Sequence, residues 1–315
     1  MSTLFDHTSL SKSVTLDKLV GNTPLVEIRH SRSNKVKILA KCEWFNPSGS
    51  IKDRVAFSLI KFALDNDLLL NKILIDATSG NTGVSLAMMG AMFQVPVELA
   101  IPENAPKETK LLIQNYGAKL HLTSPESGTD GAQDYVEKLV QEYSQNYYYP
   151  NQYNNPITWE AHVSSTAPEI WLQSEKKITH FIAGIGTSGT FMGVSKFLKP
   201  KGVSCICVQP NDSRHGIYGW KHLKGERVPG IYDKYLADSH IEISTKKAFS
   251  YARSAFCHLG LSLSPSSAAN LVAAVELSKS LDEGVIVTIF PDDASRYLQE
   301  LFWKDSSFVI ENPFF

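Results

Sequence analysis

Surplus charge is the first thing this sequence lacks: 31 Lys and Arg stand against 32 Asp and Glu, a formal net charge of -1. That balance excludes nucleic-acid or membrane-surface binding through bulk electrostatics. Cysteine is scarce as well. Cys42, Cys205, Cys207 and Cys257 are too few and too scattered for a disulfide framework, and they fit a reducing cytoplasm. Cys205 and Cys207 share one face of a strand in "VSCICVQ", but no second Cys/His pair has matching spacing. They read as buried thiols, with no metal site expected. No apolar run is long enough to span a bilayer. The stretch "MSTLFDHTSLSKSV" has no basic flank leading into an apolar core, so no secretory leader is expected. Repeats at a fixed period and low-complexity tracts are absent too.

What is present is an ordinary globular composition, 43% hydrophobic and 20% charged over 315 residues, enough for about two domains. Short apolar runs ("VKILAKCE", "KILIDAT", "VPVELAIP", "AKLHLTS", "ITHFIAG", "VSCICVQP", "GVIVTIFP") alternate with helical patterns such as "DRVAFSLIKFALDNDLL" and "SSAANLVAAVELSKS". The alternation predicts an α/β architecture with parallel strands covered on both faces. The polar, aromatic stretch 145–160, with two prolines, reads as a crossing between two lobes. A cleft between lobes is where small ligands bind.

Three segments carry chemistry, each reading as a small-residue loop before a helix: "NPSGSIKDR" (46–54), "TSGNTG" (78–83) and "GIGTSGT" (184–190). Glycines let backbone approach a ligand, and free N–H groups at a helix start favour an anion. Lys52 falls on the first turn of a helix, where an ammonium is disfavoured and readily deprotonated. The third loop contains G-x-G-x-x-G, yet the next strand ends in Gln209 and Pro210 rather than an acidic residue, against a dinucleotide site. Two anion-cradling loops and such a lysine suit a ligand bearing both a phosphate and an aldehyde, which is pyridoxal 5'-phosphate.

With "GNTPLVEI" and "PDDASRYL", these motifs run in order from about residue 15 to 303 and resemble the cysteine synthase family. These are fold-type-II pyridoxal-phosphate enzymes, and "RHGIYGWKHLKGERVPGIYD" (214–233) resembles the O-acetylserine sulfhydrylase B type. The resemblance implies a tryptophan synthase β-like fold of two open twisted α/β domains with the cofactor in the cleft between them. The smaller domain would span 45–153 and the larger 1–44 and 154–315. By the same resemblance Lys52 is the Schiff-base lysine, and Thr78, Ser79, Gly80, Asn81 and Thr82 form the substrate-carboxylate loop. Asn81 also meets the cofactor's ring oxygen, and Gln152 is a further carboxylate contact. Gly186, Thr187, Ser188, Gly189 and Thr190 cradle the phosphate, and Ser266 bonds the pyridine nitrogen, with a helix N-cap as its other role. A homodimer acting on small molecules is implied.

The implied reaction is β-replacement, making L-cysteine or an S-substituted relative from an activated serine and a sulfur donor. Lys52 would move the Cα proton, and a hydroxyl at the ring nitrogen disfavours aminotransfer. Alternatives are an O-phosphoserine-dependent synthase, a β-eliminating desulfhydrase or dehydratase, and an idle binding relative. Arg214, Lys221 and Lys224 are candidate cations for a phosphoryl donor or, equally, a solvated run. Asp53 and Arg54 read as structural, and His162 is not expected to act as a base. Ser188, Ala268 and the "PDDAS" turn depart from the family's more glycine-rich pattern.

Overall fold

The computed structural model describes residues 15–30, 35–305 and 312–314. The stretch expected to carry no leader, 1–14, lies outside them. The chain first lays down β1 (Leu25–Ile28) and β2 (Val36–Cys42). It then builds α1 (Lys52–Asp65), β3 (Ile73–Ala77), α2 (Asn81–Phe93), β4 (Val97–Pro102), α3 (Lys107–Asn115), β5 (Lys119–Thr123), α4 (Gly128–Glu142) and β6 (Tyr147–Tyr148). After α5 (Ile157–Ala161) and a π-helical turn at His162–Thr166 come α6 (Ala167–Gln173), β7 (His180–Gly184), α7 (Gly189–Leu198) and β8 (Ser204–Pro210). The described chain closes with β9 (Ser239–Ile243), α8 (Thr245–Leu259), α9 (Pro265–Ser278) and β10 (Gly284–Phe290).

Two sheets result, a four-stranded one ordered β5-β4-β3-β6 and a six-stranded one ordered β1-β2-β10-β7-β8-β9. All four strands of the smaller sheet are parallel. The larger departs from the all-parallel expectation at one edge, where β1 runs antiparallel to β2. The short connection between them has no room for a crossover, so the chain can only turn back.

Helices cover both faces of each sheet, which is why the strands are apolar on both sides. In α1, Val55, Ala56, Leu59, Ile60 and Ala63 are buried at three- and four-residue spacing, giving one apolar stripe. α9 is buried almost throughout, between the large sheet and α8. Cys205 and Cys207 lie in the large-sheet core with Phe181 and Phe191. Burial pushes both thiols up, Cys207 to about 12. Among the described residues no helix is long and apolar enough to cross a membrane.

Candidate active site

Loops from both sheets meet at a solvent-open cleft of about 960 Å³, lined by Lys52, Thr78, Ser79, Gly80, Asn81, Thr82, Gly186, Thr187, Ser188, Thr190 and Ser266. The first loop ends at Lys52, the first residue of α1, whose Nζ lies 3.3 Å from Thr187 Oγ1. Burial pushes its ammonium down to about 8, partly opposed by the charge of Asp292. A side chain in that state gives up its proton far more readily than an ordinary lysine.

The turn before α1 is held from below. Asp53 accepts from Ser48 N (2.6 Å), from the Ser48 hydroxyl and from Ser85 Oγ (2.6 Å). Arg54 is buried and forks onto Glu43 (2.8 and 2.9 Å) and Glu169 (2.7 Å). Lys41 completes this buried network with a 2.7 Å contact to Glu169.

The second loop leaves β3 and enters α2. Thr78 Oγ1 accepts N–H bonds from Gly80 and Gly83, each 3.1 Å, and shapes the turn. A Cβ on Gly80 would meet nothing within 4 Å, so the backbone there faces open cleft. Asn81 has both amide atoms engaged: Nδ2 donates to Asp292 Oδ2 (2.8 Å) and Oδ1 accepts from Arg296. Gln152 stands behind this loop and is not among the residues lining the cleft. Its Oε1 accepts from Thr82 Oγ1 and its Nε2 donates to Ala77 O, both at 2.8 Å. Beneath it Asp76, buried with only backbone N–H partners, is pushed up to about 7 by desolvation.

The third loop joins β7 to α7. Ser188 is the residue before the helix, in left-handed conformation (φ 68°). Its Oγ is buried with no hydrogen-bond partner among the described residues. Such a donor, beside the free N–H groups of a ten-residue helix, is the arrangement an anion completes. A Cβ on Gly186 would lie 2.0 Å from Gly219 O, so only glycine lets this loop pack against that segment. Behind it His162 is buried, its Nδ1 2.9 Å from Thr166 Oγ1 and its Nε2 3.3 Å from Thr190 Oγ1. Burial, helped by Arg54 and Lys52, holds it well below the usual range and therefore neutral.

Ser266 departs from one expectation. The N-cap of α9 is Ser264, whose Oγ accepts from Ser267 N at 3.1 Å, because Pro265 fills the first helical position. Ser266 thus keeps its hydroxyl at the cleft, 3.1 Å from Ser264 Oγ and 3.4 Å from Asp292 Oδ1.

"PDDASRYL" brings more to the site than its turn suggested. Asp292 is a buried hub, accepting from Asn81 (2.8 Å) and Tyr297 OH (2.7 Å). Arg296 donates to Asn81 Oδ1 and Ser48 O, and Tyr297 stacks on Tyr218 with ring centres 5.5 Å apart. The available signal was the alternation of acid, base and phenol in that stretch. Of the candidate cations Arg214, Lys221 and Lys224, Lys221 alone lines the cleft, while Arg214 is exposed beside Asp212.

A lysine of lowered basicity touching an anion-cradling loop that holds an unpartnered buried hydroxyl fits pyridoxal phosphate. The comparisons agree. Residues 16–292 match the family model for "Pyridoxal-phosphate dependent enzyme". The chain is 46% identical over 302 residues to a cysteine synthase of Aquifex aeolicus (strain VF5), covering 92% of each chain. It is 35% identical over 288 residues to cysteine synthase B of Escherichia coli (strain K12), covering 90% of this chain and 94% of that one. The crystal structure of an Entamoeba histolytica cysteine synthase superposes with a TM-score of 0.89 at 33% identity, covering 97% of this chain and 95% of that one. The chain belongs to the cysteine synthase family of pyridoxal-phosphate dependent enzymes.

Proposed function

We propose that this protein makes L-cysteine by β-replacement on O-acetylserine, with sulfide as the sulfur donor. The observation that carries the reading is the Lys52 amine, desolvated and 3.3 Å from Thr187 in the anion loop. When bound, pyridoxal phosphate supplies an aldehyde that condenses with amines and a ring that draws electron density from the substrate's Cα. Gly186, Thr187, Ser188, Gly189 and Thr190 would hold its phosphate, the Ser188 hydroxyl gaining the partner it lacks. Lys52 would anchor the aldehyde, and Ser266 would face the ring nitrogen.

Thr78, Ser79, Gly80, Asn81 and Thr82 bind the substrate carboxylate through the N–H groups opening α2. Gln152 supports them by fixing Thr82, and Asn81 exchanges its hold on Asp292 and Arg296 for the ligand. Lys52 Nζ takes the Cα proton, acetate leaves Cβ, sulfur takes its place, and the same nitrogen returns the proton. Lys52, residues 78–82, Gly186, Thr187, Ser188, Thr190 and Ser266 all line the one cleft, and the family resemblance supports their assignments. The reading extends to a cytoplasmic homodimer with lobes dividing at 45–153; four unpaired cysteines support a reducing compartment.

Lys52→Ala tests it. The variant is expected to lose the visible absorption of the loaded protein and at least about 10³-fold in O-acetylserine turnover. Turnover retained by the variant overturns the assignment, and elution as a monomer overturns the dimer.

A further inference from the structure

The cleft contains a second cation besides Lys52, and it is not free. Lys221 is buried, with a side chain 5% exposed, and lines the cleft beside Trp220 and Tyr153. Its backbone N–H donates to Ile185 O at 2.7 Å, which pins it to the loop leading into Gly186. Its Nζ lies 2.5 Å from Asp130 Oδ1 and 3.9 Å from Glu226 Oε1, and 5.5 Å from the Tyr153 ring centre. Neither carboxylate is loosely placed. Asp130, in the first turn of α4, also accepts from Gln133 Nε2 (3.2 Å) and Arg227 N (2.9 Å). Glu226 Oε2 accepts from His222 N (2.6 Å) and lies 3.4 Å from His215 Nε2.

One ammonium at the cleft therefore faces two fixed carboxylates. Apart from Lys52, the three loops, Ser266 and the Tyr218–Tyr297 pair, the cleft is lined by Pro106, Thr109, Thr129, Tyr153, Trp220 and Lys221, among others. That wall is left for whatever a serine donor carries on its Cβ oxygen. A cation held by two carboxylates presents no surplus positive charge, and a dianion brought beside it meets like charge.

We propose that Asp130 is the residue that sets donor choice: by occupying Lys221 it makes the cleft accept an uncharged ester such as acetyl and reject a phosphoryl group. This deepens the O-acetylserine reading above and rests on it. The pair also spans the two lobes, since α4 packs on the small sheet while Lys221 follows β8 of the large one. A purely mechanical clamp is therefore the rival account.

The test uses the cofactor-loaded protein, so that the anion cradle is filled. Inorganic phosphate binding by calorimetry and the kcat/KM ratio of O-phosphoserine to O-acetylserine are measured for wild type, Asp130→Asn and Asp130→Asn/Lys221→Met. Asp130→Asn is expected to bind phosphate about tenfold more tightly and to raise the donor ratio by a similar factor. The double variant is expected to return both to wild-type values. Glu226→Gln, which leaves the 2.5 Å pair intact, is expected to move both in the same direction by less. An unchanged phosphate affinity in Asp130→Asn overturns the proposal, as does a gain that survives loss of the Lys221 amine. Equal loss for both donors establishes the clamp and overturns it too. If wild type turns over neither donor, the proposed reaction falls, and the phosphate arm still decides the role of Asp130.

Discussion

Two buried titrating groups in this chain work in opposite directions because one is a base and the other an acid. Burial disfavours the charged form of both. Lys52 consequently loses its proton near pH 8 in the cofactor-free chain. Borohydride trapping of an added aldehyde at this residue should accelerate as pH rises to about 8 and then level off; a rate still climbing to pH 10 contradicts the desolvated site. Asp76 is held up at about 7 against an ordinary 3.8, so the folded state binds its proton more tightly than the unfolded chain. The stabilisation is complete below pH 3.8 and lost as pH rises through 7. Asp76→Asn should therefore gain stability relative to wild type across that window, measured by urea unfolding at a series of pH values. Lys52, Ser188 and Ser266 were legible because their loops carry motifs. Asp292 and Arg296 were not, because a charge in a short turn is usually a solvated one, and their use depends on contacts more than 200 positions away in sequence (Asn81 to Asp292 and Arg296).

At the scale of elements, α1 shows how much of the placement of Lys52 lies outside its own side chain. Arg54, two residues on, is 1% exposed and tied to Glu43 and Glu169. Arg54→Met leaves Glu43 buried with its principal cation removed, which costs about 3–5 kcal/mol by analogy with broken buried pairs. Thermal unfolding should show that loss, and cofactor retention should fall with it. Most elements were readable from sequence: all seven apolar runs became β2, β3, β4, β5, β7, β8 and β10. β1, β6 and β9 were not picked out, being short or, like "SHIEI", mostly polar and exposed at a sheet edge. The α9 cap escaped because three serines in "LSPSS" compete for it, and the proline between them decides the matter.

Across the whole molecule, two bridges join segments that belong to the two sheets. Asn81 is tied to Asp292 and Arg296, and Lys221 to Asp130. Arg296→Met removes the guanidinium that reaches both Asn81 and Ser48 O, so amide exchange in residues 78–83 should rise several-fold while β4 stays protected. Equal exchange in both proteins contradicts a bridging role.

The order of strands has a consequence for how the protein is made. The small sheet is drawn wholly from residues 73–148, whereas in the large sheet β10, at 284–290, lies between β2 and β7. A chain emerging from the ribosome can close the small sheet early, but its large sheet has a gap at its centre until the last described strand arrives. Ser266 and Asp292 bracket that strand, so the cofactor cleft is completed at the same moment. Synthesis itself thus delays cofactor capture until the chain has been made past Asp292.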